Sequence, residues 1–261
     1  MLSVKNVPGI NKIAWTLGEI YSVLWVDLRW MRRNKLRTIA TSLINPLLYL
    51  VAFGYGLGRD ISFEGVSYLA FVIPGIIALT SLTSSFNGAA SKLNVDRIFH
   101  KSFDELLMAP VSLFSIIVGK ALAGVVRGMI NCAALLCLAM VISPMLIISP
   151  TIIALIVLSC FVFSLLGVLA AFLSKSHQGL NTFNALVLLP MTFLSGTFFS
   201  LNDIPSVLKA ALYALPLTHS SQCIRAAALG QPFPWLSLLV LAGFGVAFFV
   251  GCMVVLKRSS V

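Results

Sequence analysis

The sequence predicts an all-α integral membrane protein: six transmembrane helices, an amphipathic interfacial helix ahead of them, and short outer helices between the fifth and sixth spans. Composition is the first reason: of 261 residues, 59% are apolar and 10% charged, where a soluble domain carries about 25% charged residues. The second is six apolar blocks, each close to the ~20 residues that cross a ~30 Å hydrocarbon core. They cover residues 38 to 58, 68 to 90, 118 to 142, 150 to 173, 182 to 200 and 235 to 256. The third is that little chain lies between them, so residues 1 to 261 form one membrane domain.

The first twelve residues, MLSVKNVPGINK, are polar and carry Pro8 and Gly9. No short apolar region with a small-residue cleavage site follows, so no signal peptide is predicted and the first span directs insertion. From 15 to 33, Leu17, Ile20, Leu24, Leu28 and Met31 step by three or four, with Glu19, Ser22, Arg29 and Arg33 on another face. That periodicity predicts an amphipathic helix. With Trp15, Trp25 and Trp30 interleaved, it is expected to lie in the headgroup layer.

Basic residues set the orientation. Lys5, Lys12, Arg29, Arg32, Arg33, Lys35 and Arg37 precede the first span, Lys92, Arg97 and Lys101 follow the second, Lys175 follows the fourth, and Lys257 and Arg258 end the chain. Only Arg59, Lys209 and Arg225 fall on the other side. The positive-inside rule then places both termini in the cytoplasm. Topology accounts for the net charge of +10, and no nucleic-acid surface is needed.

All eight acidic residues are read as lying outside the spans, and His100, His177 and His219 in loops. A proton-coupled carrier holds a protonatable group at membrane depth, so this distribution argues against one. Asn45-Pro46, Pro74-Gly75 and Pro190 are expected to break or kink helices, a feature of sodium-coupled carriers, but membrane helices also tolerate prolines. Lys120 and Arg127, seven apart, share one face of the third span: Lys120 is expected to snorkel to the cytoplasmic surface, and Arg127 to line a polar path or pack against protein. Gly124 to Gly128 and Gly54 to Gly58 have the spacing that lets helices approach closely.

No metal or disulfide framework is indicated by Cys132, Cys137, Cys160, Cys223 and Cys252, which read as small packing residues. There is no HExxH, GxSxG or GxxxxGK[ST], so the chain is not read as an enzyme and cannot hydrolyse ATP in the P-loop manner.

Two loops carry the functional signal. Residues 96 to 112, DRIFHKSFDELLMAPVS, form a short charged helix exposing Phe99, Phe103, Leu106 and Leu107 on the cytoplasmic side. An apolar face there asks for a partner or a membrane surface. Residues 194 to 230 hold two helices too short to span, the first capped by Asn202 or Asp203 and ending before Pro216, the second capped by Thr218 and ending at Gly230.

Both loops resemble the permease subunits of ABC type-2 transporters, over nearly the whole chain. The family's acidic residue, Leu-Leu, Pro and small polar residue fall on Asp104, Leu106, Leu107, Pro110 and Ser112, which resemble a coupling helix for an ATPase subunit. Its outer signature falls on Ile204-Pro205, Pro216, Leu217, His219 and Arg225, with Thr197 a larger or more polar residue than the pattern has. NPLLYLVAFGYGLG (45 to 58), EGVSYLAFVIPG (64 to 75) and PLTHSSQCIR (216 to 225) look most like the nodulation-factor and lipo-oligosaccharide export permeases; drug-export and polysaccharide-export permeases share much of the pattern.

The resemblance implies two permease copies, expected to be identical, working in membrane lipid with two ATPase subunits that hold ATP and Mg; no cofactor is implied on this chain. It implies export of an amphipathic substrate across a bacterial inner membrane. Phe99, Phe103, Asp104, Leu106, Leu107 and Pro110 would meet the ATPase, and Asn45, Arg127, Pro205, Pro216, His219 and Arg225 are the candidates for the translocation path. The rival readings are a self-contained carrier or channel and a membrane-embedded enzyme.

Overall fold

The computed structural model describes residues 12–33, 40, 44–52, 62–63, 66–142, 149–199 and 205–259. The described chain is helical apart from a two-residue hairpin, β1 (Ser62–Phe63) with β2 (Val66–Ser67), at the entry to the first long helix. Among the described residues, four helices are long and apolar enough to cross a membrane: α2 (Tyr68–Ile98), α4 (Leu113–Ile142), α5 (Pro150–Leu173) and α10 (Trp235–Ser259). They match the second, third, fourth and sixth apolar blocks. The block at 38 to 58 lies largely outside the described residues, which show helix at residue 40 and at 44–52, and the Gly54 to Gly58 pair is also outside them.

The block at 182 to 200 is interrupted. α6 (His177–Phe183) passes through a π-helical turn at Asn184–Leu188 into α7 (Leu189–Leu194), followed by bends. Pro190, in the first turn of α7, explains the break: it has no N–H to give and its ring crowds the carbonyl one turn back, so the ladder rearranges.

α2 is the axis of the molecule. Its 31 residues span about 46 Å, and α4 and α5 run along it while α9 (Pro216–Leu229) covers its far end. Ser67 caps it by accepting from the Ala70 N–H. Small residues set the helix spacing. A Cβ on Gly124 of α4 would stand 2.6 Å from the Ser85 carbonyl oxygen, and one on Gly167 of α5 would stand 2.6 Å from that of Phe86. The Gly124 to Gly128 spacing therefore marks a real close approach, since Gly128 likewise faces Ser85 and Cys160.

α1 (Lys12–Arg33) packs along α4 with a stripe different from the expected one. Glu19, Val23 and Asp27 are its buried positions, flanked by Ile20, Leu24, Leu28 and Met31, while Leu17 faces outward with Ile13, Tyr21, Trp25 and Val26. Glu19 was expected on the polar face; it is buried because α4 presents hydroxyls to it.

At the opposite end of the bundle, α8 (Ser206–Tyr213) leads into α9. Thr218 does not cap α9, which Leu215 and Pro216 open; its hydroxyl lies in the first turn and donates to the Leu212 carbonyl, joining α9 to α8. The expected stop at Gly230 is observed, with φ of 66° in the left-handed region that glycine adopts freely. Asn202 and Asp203 lie outside the described residues.

Candidate functional site: the turn between α2 and α4 and its ties

α2 ends at Ile98, and a reversal through Lys101, at φ 52°, starts α3 (Ser102–Met108). A left-handed lysine costs about 1 kcal/mol, so packing must hold the turn. Phe103 supplies it. Expected to be exposed, it is 4% exposed and wedged 5.7 Å from the Phe172 ring of α5. Arg97 lies over both rings, 6.0 Å from Phe103 and 5.6 Å from Phe172, and donates to the carbonyls of Ala171 and Phe172. It thereby satisfies acceptors left open at the end of α5.

Leu106 and Leu107 are also drawn in, half-buried against the core. Of the apolar face expected to be exposed, Phe103 is buried and Leu106 and Leu107 are half-buried within this chain, and Phe99 alone stays fully outside. What remains outside is Phe99, His100, Lys101, Asp104, Glu105, Met108 and Pro110, with Met108 81% exposed.

Two ties hold α1 against this turn. The Glu19 carboxylate accepts from the Ser112 N–H at 3.1 Å, the Ser112 hydroxyl at 2.8 Å and the Ser115 hydroxyl at 2.6 Å. Ser112 in turn accepts from the Ser115 N–H, so serine and carboxylate together cap the start of α4, where negative charge is favoured. Burial raises the Glu19 carboxyl, but the hydrogen bonds from Ser115, Ser112 and Trp15 outweigh it and leave it below its ordinary 4.5.

A carboxylate depressed on folding contributes stability above its unfolded value and loses it as pH falls through the lower folded one. Glu19→Gln is thus expected to lower stability at pH 7 by about 2 kcal/mol, the scale of a charge-accepted hydrogen bond. The gap from the unaltered chain, followed by thermal unfolding in detergent, should close below pH 4.5. A gap independent of pH would show that the charge is not what binds α1.

The second tie is a ring of four charges. Lys120 of α4 lies 3.0 Å from Asp27 of α1 and 3.3 Å from Asp96 of α2; Lys92 of α2 lies 3.3 Å from Asp27 and 3.0 Å from Asp96. Signs alternate around the ring, so every contact is attractive and the net charge is zero. Lys120 was expected to snorkel outward; it is 6% exposed because two carboxylates meet it inside. Only the Lys92 and Asp96 pair, one turn apart, could be seen locally.

Between residues 70 and 94 of α2 the positions left partly open are Thr83, Asn87, Gly88, Ser91 and Lys92, none of them apolar in side chain. Arg127 borders that strip, since a Cβ on Gly88 would meet its Cδ at 3.1 Å. Asn45 is exposed in the 44–52 stretch.

The remaining candidates belong to the other end. Arg225 is 8% exposed, stands 3.8 Å over the Phe71 ring, and donates to the carbonyls of Phe71 at 3.2 Å, Gly196 at 3.0 Å and Thr197 at 3.3 Å. His219 Nε2 lies 2.8 Å from the Tyr213 carbonyl, which can only accept, so that nitrogen carries the proton. Pro205 precedes α8 and is exposed; Pro216 opens α9 and is buried. No group of three His, Cys, Asp or Glu among the described residues could hold a metal ion.

The described chain is thus a bundle of long apolar helices with a small helix turned out at one end, its inner side wedged and its outer side exposed. The sequence matches the description "ABC-2 type transporter" over residues 18–229, and the chain belongs to that family. It is 30% identical to the inner membrane transport permease YadH of Escherichia coli (strain K12) over 247 residues, covering 90% of this chain and 96% of the relative. It is 30% identical to nodulation protein J of Rhizobium meliloti (strain 1021) over 214 residues, 78% of this chain and 79% of that one. Against nodulation protein J of Neorhizobium galegae the figures are 30% over 206 residues, 76% of each.

Proposed function

We propose that the chain is the membrane-spanning subunit of an ATP-driven exporter that moves an amphipathic substrate, such as a lipo-oligosaccharide, a polysaccharide or a drug, outward across a bacterial inner membrane. In this reading two copies pair, six spans cross per copy with both termini in the cytoplasm, and α1 lies in the inner headgroup layer with Tyr21 and Trp25 outward. Each copy engages an ATPase subunit, which holds ATP and Mg. The observation that carries the reading is the two-sidedness of α3. Phe103 anchors one side in the bundle, while Asp104, Glu105 and Met108 present acidic and apolar groups outward, and among the described residues nothing covers that patch, which asks for a partner.

The polar strip of α2 supports a path between the two copies. Thr83, Asn87 and Ser91 would be costly against lipid and suit a hydrated cleft that accepts hydroxyl-rich or charged headgroups. The relatives' names, a transport permease and a nodulation protein, are consistent with export but leave the substrate class open.

The test is co-purification of the permease with its candidate ATPase, followed by hydrolysis measurements in lipid nanodiscs. Glu105→Arg with Met108→Glu changes only exposed side chains and leaves the Asp104 charge that favours Arg97 in place, and is expected to reduce ATPase association at least tenfold without lowering the permease's thermal midpoint. Undiminished association would remove α3 as the docking element. Solute or ion conduction by the pure permease, with no ATPase bound, would favour a self-contained carrier.

A further inference from the structure

We propose that Asp27 and Glu19 are positioning residues that fasten α1 to the ATPase-facing turn, so that α1, α3 and the adjoining ends of α2 and α4 move as one body when the ATPases close. The role rests on the exporter reading above. It follows from where the two ties fall: Glu19 is bonded to Ser112 and Ser115, immediately after α3, and Asp27 to Lys92 and Lys120, on the helices that enter and leave the turn. The two carboxylates are eight residues apart, two turns on one face of α1, with buried Val23 between them.

Force delivered to α3 reaches the bundle along two lines. One runs through Phe103 to Phe172 and the end of α5, held by Arg97. The other runs through Ser112 to Glu19 and along α1 to the charge ring, and it ends on α2, the helix carrying the polar strip. Mere anchorage of α1 needs no buried charge. Val23 against Gly119 already packs the two helices, as a Cβ on Gly119 would stand 2.8 Å from Val23. A ring of four alternating charges instead fixes the distances among three helices at once, because sliding any one brings like charges together or leaves one unpaired.

Neutralising one member strands a charge, so Asp27→Asn alone confounds folding with coupling. Asp27→Asn with Lys120→Gln removes one charge of each sign and keeps the Lys92 and Asp96 pair. Spin labels on Ser22→Cys and His100→Cys, both exposed and neither in the docking face, with the exposed Cys137 changed to serine, report the distance from α1 to the turn that starts α3 in the permease–ATPase complex. Pulsed electron-spin measurements in nanodiscs are made without nucleotide and with ATP plus vanadate.

The unaltered ring is expected to give one narrow distance that is the same in both states. The double neutral variant is expected to keep a thermal midpoint within a few degrees of the unaltered chain, to broaden that distribution about twofold, to shift it with ATP plus vanadate, and to lose permease-dependent ATPase stimulation severalfold. A double variant with the unaltered width, constancy and stimulation would overturn the role alone, leaving the exporter reading intact. So would a distance between α1 and this turn that moves with nucleotide while the ring is whole. Failure of the unaltered chain to bind any ATPase would sink the exporter reading and this role with it.

Discussion

Gly124→Leu is expected to destabilise the fold strongly, to the point of lost recovery on extraction, while Gly243→Leu leaves it intact. At Gly124 a first carbon would stand 2.2 Å from the Ser164 hydroxyl and 2.6 Å from the Ser85 carbonyl oxygen. Neither neighbour can give way cheaply. The Ser164 hydroxyl is committed to the Ala121 carbonyl at 2.6 Å, and the Ser85 carbonyl belongs to the backbone of α2. The three remaining leucine carbons would push α4 away from both α2 and α5, separating the three helices that make most of the core. Overpacking at one interface costs about 1–3 kcal/mol, and here two interfaces open together. With about 2–4 °C lost per kcal/mol in a chain of this size, the thermal midpoint in detergent should fall by about 10 °C or the protein should aggregate on extraction. Gly243 has nothing within 4 Å, so leucine there adds an apolar side chain to an open face. Equal behaviour of the two variants would mean that α4 does not approach α2 and α5 as described.

The contrast between local and distant signals explains how much could be seen in the sequence. Four apolar blocks became helices, and the fourth block coincides with α5, because hydropathy is set residue by residue. Where α2 and α4 run beyond their blocks, partners from elsewhere in the chain account for it, whereas the π-helical turn in the fifth block has a local cause in Pro190. α4 starts at Leu113 and not 118 because Ser112 and Glu19 cap an earlier turn, and α2 continues to Ile98, past the expected end at 90, because Asp27 and Lys120 neutralise Lys92 and Asp96. Those partners are far away in sequence, Lys120 being 93 positions from Asp27, and no periodicity links them.

The same holds for the candidate site. The residues of the 96 to 112 turn were identified as a unit, because charge followed by Phe, Leu-Leu and Pro is a local pattern. Which side of α3 stays outside was not legible: Phe99 and Phe103, four apart, look equivalent in sequence, yet Phe99 is 67% exposed and Phe103 buried. The difference comes from Phe172 and Arg97. Glu19, Asp27 and Lys92 were missed as functional residues; the one available signal was a pair of carboxylates eight apart beside the apolar positions of an amphipathic helix.

Arg225→Lys is expected to be nearly as damaging as Arg225→Met, although it keeps the charge. The guanidinium serves acceptors in two directions. Its Nε donates to Phe71 on α2, its terminal nitrogen donates to Gly196 and Thr197 in the turn after α7, and its plane covers the Phe71 ring. A lysine ammonium is a single point on a flexible stem, and cannot reach both groups of carbonyls while stacking on a ring. It would leave at least one buried carbonyl unserved, at about 1–3 kcal/mol each, and would itself need solvation where Arg225 is 8% exposed. Gly75 tightens the site further, since its Cβ position lies 2.7 Å from the Thr197 carbonyl and 3.2 Å from the Arg225 guanidinium, so nothing bulkier can fill the gap. Both variants should lower the thermal midpoint by at least several degrees and expose the 195–199 turn to limited proteolysis at its outer end. If Arg225→Lys instead keeps full stability but loses transport in the reconstituted complex, Arg225 serves the moving substrate more than the fold, and the outer clasp belongs to the path.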